Sequence, residues 1–258
     1  MIGNDGIRNS NGKPGTQGRD LPGEWLYIVP LALSLLISRF LFAIPDSPGA
    51  VALHMLVYAC TTCVAALLFV PVSPPCSLKS LSALSGRCGV ATVLFLAAVL
   101  ADSQTRGAIG QALPLAFMVF LLTLATLAPV LAIGANAALV RQCVFVVFAI
   151  LLATPVWLAP LAEQAGIWPG APDLIIGVSP LSALAVSLDF DYLRSNWFYQ
   201  YSVLGSLRYE YLSWSAYVLI LATTIAGLVT GATKLDVDRA RRADNRVLNQ
   251  LGNGVTNS

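Results

Sequence analysis

Long uninterrupted apolar stretches dominate the chain, separated by short polar or Pro-containing breaks. The first runs from Trp25 to Ile44 and stops at Pro45-Asp46-Ser47-Pro48, where two prolines forbid continued helix. The second covers residues 49–72, and further stretches cover 112–133, 140–161 and 214–233. Each is about 20 residues, the length of helix that crosses a ~30 Å hydrocarbon core. Between the second and fourth stretches the pattern changes. In residues 77–85, Leu78, Leu81 and Leu84 recur every third residue with Lys79, Ser82 and Ser85 between them, which predicts a short amphipathic helix on the membrane surface. A third span is then expected at 88–109, although its clean apolar core, Cys88 to Ala101, is only about 14 residues and is bracketed by Arg87 and Asp102. Pro129, Pro155 and Pro160 should kink or end the fourth and fifth spans.

The expected fold class is therefore all-α, a polytopic membrane bundle of about six transmembrane helices within residues 24–233. Composition agrees: 57% of residues are hydrophobic and 11% charged, whereas soluble domains carry about a quarter charged residues. Residues 1–23 are polar and rich in Gly and Asn, without the short apolar core of a cleaved signal peptide, and read as a disordered cytoplasmic tail. Residues 234–258 form a basic cytoplasmic tail, with Arg239, Arg242 and Arg246 on one helical face.

Charge placement predicts orientation. On the six-span layout one side collects Arg8, Lys13, Arg19, Lys79, Arg87, Arg141, Lys234, Arg239, Arg241, Arg242 and Arg246. The other collects Arg106, Arg194 and Arg208 with most loop carboxylates. The positive-inside rule places both termini in the cytoplasm, and the bacterial cytoplasmic (inner) membrane is the expected location. Omitting the third helix would split the cations between the two sides.

Chemical motifs are sparse. The five cysteines form no disulfide framework, and Cys60 and Cys63, a Cys-x-x-Cys pair in mid-span, read as packing residues because hydrocarbon stabilises thiolates poorly. His54 is the one histidine, too few for the usual haem, copper or zinc sites. It reads as a hydrogen-bonded structural residue. Arg39, inside the first stretch, is placed to snorkel toward Asp46 or pair with Asp102. Isolated residues such as His54, Asp102 and Ser179 offer no converging constellation, so no enzyme, cofactor or metal site is expected. No phosphate-binding Gly-x-x-x-x-Gly-Lys-Ser/Thr loop occurs, and no nucleic-acid partner is expected. Gly227 and Gly231 match Gly-x-x-x-Gly, a close-packing signal for a neighbouring helix of the same chain or of a second copy.

The external segment 163–213 is the most unusual. Phe190, Tyr192, Trp197, Phe198, Tyr199, Tyr201, Tyr209 and Tyr211 crowd into it, with Trp214 just beyond. Tyr and Trp at this density suit the headgroup zone, and a ligand platform of stacked rings is the sharper alternative. The stretch from Pro180 to Leu188 is apolar enough to re-enter the bilayer.

This layout resembles the membrane subunits of ABC-2-type transporters, permeases that pair with a separate ATPase. The parallels are six spans with both ends inside, the amphipathic stretch Ser77 to Leu84, and the re-entrant external segment, whose Ile176-Gly177-Val178-Ser179-Pro180-Leu181 looks like the Ser-Pro step of that family. The resemblance implies a permease dimer with two ATPase subunits, a path at the permease interface, and Leu78, Lys79, Leu81 and Leu84 in the coupling surface. Beside it stands a second expectation: a non-catalytic subunit that scaffolds a larger membrane complex as a homo- or hetero-oligomer.

Overall fold

A computed structural model of the chain describes residues 26–41, 49–72, 78–133, 137–163, 170–195, 198, 204 and 209–255. The described residues are helical and contain no strand. The helices are α1 (Ile28–Leu41), α2 (Ala50–Phe69), α3 (Leu78–Ala101), α4 (Ile109–Ile133), α5 (Ala137–Trp157), α6 (Ala159–Glu163), α7 (Ala171–Gly177), α8 (Pro180–Val186) and α9 (Trp214–Val255). Five of them, α2, α3, α4, α5 and the first part of α9, are long and apolar enough to cross a bilayer, which is compatible with a multi-pass integral membrane protein. α1 is shorter: its 14 residues rise about 21 Å at 1.5 Å each.

Two boundaries differ from the sequence pattern. α3 is one unbroken helix from Leu78 to Ala101, so residues 78–85 are its first turns and not a separate helix, and the stretch expected as one span over 88–109 is broken after Ala101. Its buried face explains the continuity. Leu84, Cys88, Ala91, Phe95 and Val99 are all at most 1% exposed and recur at intervals of four and three, one stripe that crosses the expected break. α3 ends before Asp102 because side chains take over its last carbonyls: Thr105 Oγ1 donates to the Val99 carbonyl at 2.7 Å and Arg106 Nε to that of Leu100 at 2.8 Å. A 3-10 turn over Arg106–Ala108 then leads into α4.

Pro129 and Pro155 lie inside continuous helices, whereas Pro160 follows a break at Leu158 and sits in the first turn of α6. α4 is the hub of the bundle. It packs against α2, α3, α5, α8 and α9, while α1 rests on α2 and α3. The two short helices α7 and α8 fold back onto this core, α8 touching α2, α4, α5 and α9. Asp189, at φ 50°, turns the chain back after α8, and Phe190 then lies against Gly49 at the start of α2. Gly49 has φ 89°, and a Cβ there would come within 3.0 Å of the Phe190 ring.

Candidate functional site

Three polar groupings stand out in an otherwise apolar bundle. At one end, α1, α2 and α3 bring together Arg39, Tyr58 and Asp102. Arg39 Nη1 lies 2.5 Å from Asp102 Oδ2 and donates to the Tyr58 hydroxyl at 3.5 Å. Tyr58 in turn donates to Asp102 Oδ2 at 2.8 Å, and Asp102 Oδ1 accepts from the Gln104 amide at 3.1 Å. The Asp102 side chain is 1% exposed and that of Arg39 45%. A buried carboxylate is thus held by one guanidinium and two hydrogen bonds, the condition under which burying a charge is tolerable. Of the two partners expected for Arg39, the structure supplies Asp102; Asp46 lies outside the described residues. Tyr58 was the unread member. Its signal was present, because it lies one turn after His54 on the inner face of α2.

At the opposite end, two arginines from different helices converge on the end of α2. Arg87 Nη1 donates to the Pro71 carbonyl at 2.7 Å, and Arg141 Nη1 and Nη2 donate to those of Leu68 and Val70 at 3.1 and 2.8 Å. The last carbonyls of a helix have no partners of their own and carry partial negative charge, so cations are favoured there. No sequence motif announces this cap, since the donors lie 16 and 71–73 residues from the acceptors.

The third grouping surrounds α7 and α8. Tyr192 is buried with its hydroxyl 3.0 Å from Ser182 Oγ, and Phe198 stacks edge-on against its ring at 5.2 Å. Tyr217 of α9 donates to the Ile176 carbonyl at 3.5 Å. Ser179 Oγ, also buried, has no hydrogen-bond partner among the described residues. Nearer the surface, Asp191 accepts from Tyr209 at 2.8 Å and Tyr211 at 2.8 Å, and pairs with Arg194 at 3.3 Å. Arg194 also lies over the Tyr209 ring. Burial, reinforced by the Asp191 carboxylate, pushes the Tyr209 phenol above its ordinary range; the Tyr211 phenol shifts the same way, through burial and then its Tyr192 and Asp191 neighbours. Both therefore stay protonated and donate. The Glu210 amide adds a bond to Asp173 at 2.8 Å. Residues 209–211 form a strap tied across this region before α9 begins.

The predicted site residues fall unevenly. Tyr192 and Phe198 come together in the buried grouping and Pro180 is buried at the start of α8, whereas Trp197, Tyr199 and Tyr201 lie outside the described residues. Tyr192 and Phe198 are both 2% exposed, so they are packing residues of the α8 region and present no open platform. In the expected coupling surface, Lys79 is exposed and Leu81 half-buried, but Leu84 is 1% exposed and belongs to the core. The Leu78 side chain lies outside what the structure describes. A Cβ added at Gly227 or Gly231 would find nothing within 4 Å among the described residues.

His54 is buried with Nδ1 2.8 Å from the Ala50 carbonyl, a structural role. Cys60 and Cys63 are free thiols packed in α2. Among the described residues no three His, Cys, Asp or Glu side chains gather to hold a metal. Comparison with protein-family models, with curated proteins and with solved structures finds no match.

Proposed function

We propose that this chain is the membrane-spanning permease subunit of an ATP-driven transporter of the ABC-2 type, working with a separate ATPase. In this reading it crosses the bacterial cytoplasmic membrane six times with both termini inside, and two copies form the transport unit. The observation that carries the proposal is the placement of α7 and α8. A short helical pair follows the fifth apolar stretch and packs against α2, α4, α5 and α9, which supports reading it as a re-entrant element, one of the traits this layout shares with such permeases. α1 supplies the sixth crossing when the apolar sequence from Trp25 to Ile44 is counted with it.

Orientation draws support from the ends of the helices. Arg87 and Arg141, both assigned to the cytoplasmic side by the charge count, meet at one end of α2, and Asp102, paired with Arg39, lies just past the far end of the helix that carries Arg87. A single orientation accommodates all of them. The chain contains no phosphate-binding loop of its own, so in this reading a partner supplies the energy for uphill transport.

With Leu84 in the core, the coupling surface narrows to the exposed side of the first turns of α3, around Lys79 and Ser82. Affinity purification of the wild-type chain from its native membrane should recover a Walker-type ATPase. Replacing Lys79 and Ser82 with Glu should reduce that recovery several-fold while leaving insertion and thermal stability intact. Recovery of other membrane partners without an ATPase would overturn the permease reading in favour of the scaffold.

A further inference from the structure

Between α1 and α3 lies a groove of about 420 Å³, within the ~300–1,000 Å³ span of pockets that hold small ligands. Its walls are apolar and shallow. Leu36 of α1 and Ala97 and Ala101 of α3 line it and are exposed. The small alanines keep the two helices from filling the space themselves. Along α1 the groove extends from Ala32 to Arg39, eight residues whose seven steps rise about 10 Å. One end only is polar, formed by Arg39, Tyr58 and Asp102.

The polar end has a direction. Asp102 is buried and both of its oxygens are engaged, by Arg39 and Tyr58 on one and the Gln104 amide on the other. Arg39 bonds inward through Nη1 alone, and its side chain is 45% exposed. A guanidinium carries five donors in a planar fork, and among the described residues Nε and Nη2 have no protein partner. The groove therefore presents the positive end of the Arg39–Asp102 pair outward, with the carboxylate buried behind it. An occupant needs an acyl chain for the alanine-lined trough and an anionic oxygen-rich group for the outer edge of Arg39.

We infer that this groove is a binding site for an anionic phospholipid of the surrounding bilayer, its phosphate on Arg39 and one acyl chain along Leu36, Ala97 and Ala101. The inference depends on the membrane location alone and is independent of the permease reading. The ion pair positions the arginine, and the lipid supplies acceptors that the protein leaves out.

The test offers the full chain, stripped in a neutral detergent, equal amounts of phosphatidylglycerol and phosphatidylcholine with matched acyl chains. Native mass spectrometry then counts what is retained. Wild type should prefer phosphatidylglycerol by about fivefold, the usual contribution of one basic residue to anionic-lipid binding. The double variant Arg39→Gln with Asp102→Asn, which keeps Tyr58 an acceptor, should bring the ratio to about one. Ala97→Leu alters an exposed residue and so tests the groove even where the double variant does not fold; it should at least halve the retention of phosphatidylglycerol. Equal retention of the two lipids by wild type, an unchanged preference in the folded double variant, or undiminished retention by Ala97→Leu would each overturn the assignment.

Discussion

α4 and α9 are both long enough to span, yet the bundle treats them oppositely. The apolar window of α4 has a mean hydropathy of 2.4 and is 61% buried, while that of α9 has 1.6 and is 6% buried. In water the outer helix would be the less apolar for an obvious reason. In lipid that reason disappears, because hydrocarbon tails are as apolar as leucine and no hydrophobic force sorts side chains between core and surface. Sorting by size and packing remains. α4 contributes large, fully buried side chains, among them Leu115, Met118, Leu127 and Leu131. The exposed part of α9 carries Gly227, Gly231 and Thr223, Thr224 and Thr230, with each threonine hydroxyl donated to a carbonyl of its own helix. Below the exposed Leu219 and Ile220, the stretch from Thr223 to Gly231 has satisfied its threonine hydroxyls and carries glycines that let another helix approach.

The sharpest way to break this contrast is to shorten one leucine on each helix. Leu127 of α4 is 0% exposed and Leu219 of α9 is 65% exposed. Leu127→Ala should cost about 2–5 kcal/mol through lost contacts and the cavity left behind, whereas Leu219→Ala should stay within about 0.5 kcal/mol. Unfolding midpoints in one detergent check both. Equal losses would mean that α9 is packed as tightly as α4 and that the contrast is false.

A smaller effect is expected at the strap that leads into α9. Asp191→Ala removes the acceptor shared by Tyr209 and Tyr211, at about 1–3 kcal/mol for phenols left without a partner. The loss should be local, visible as faster amide exchange over residues 209–213 with α4 unaffected. The raised phenol pKa values of Tyr209 and Tyr211 give the pH sign. Stability from neutral phenols is complete below the ordinary tyrosine pKa of about 10 and is lost as pH rises beyond it. Exchange over the strap should therefore be flat from neutral pH to about 9 once the intrinsic base catalysis is divided out, and a Tyr211→Phe variant should weaken the rise above pH 10. A strap that loosened on acidification instead would assign its stability to another group.

Much of the helical layout was legible because lipid makes length and composition nearly sufficient: a spanning backbone must bond to itself, so a long apolar run has few other options. α2 and α4 fall close to their apolar stretches for that reason. α3 was harder. Lys79 and Arg87 interrupt its apolar run, and only the buried stripe beginning at Leu84 shows that the helix is continuous. The three-residue recurrence of leucines suggested a surface helix because period alone does not say which face finds a neighbour. Arg39 and Asp102 were visible as two possible partners through the cost of a lone charge in an apolar stretch. The Arg87 and Arg141 caps were not, since a carbonyl acceptor leaves no trace in residue type. Nor was the burial of Tyr192 and Phe198, which arises from α8 packing between four other helices.

The smallest effect on the folded chain, and the most informative for α9, concerns Gly227 and Gly231. A Cβ at either meets nothing within 4 Å among the described residues, and leucine forms helix better than glycine by up to about 1 kcal/mol per position. Gly227→Leu combined with Gly231→Leu should thus leave the single chain as stable as wild type or slightly more so. If a second copy covers this face, the same change separates two backbones that would otherwise touch, and inter-copy cross-linking in bilayers should fall several-fold. The two readouts move independently, which is what makes the variant useful. A drop in single-chain stability would place an intramolecular neighbour on the glycine face. Unchanged cross-linking would leave that face to lipid, and the proposed permease dimer would then need its contact elsewhere, the exposed side of α5 being the next surface to probe.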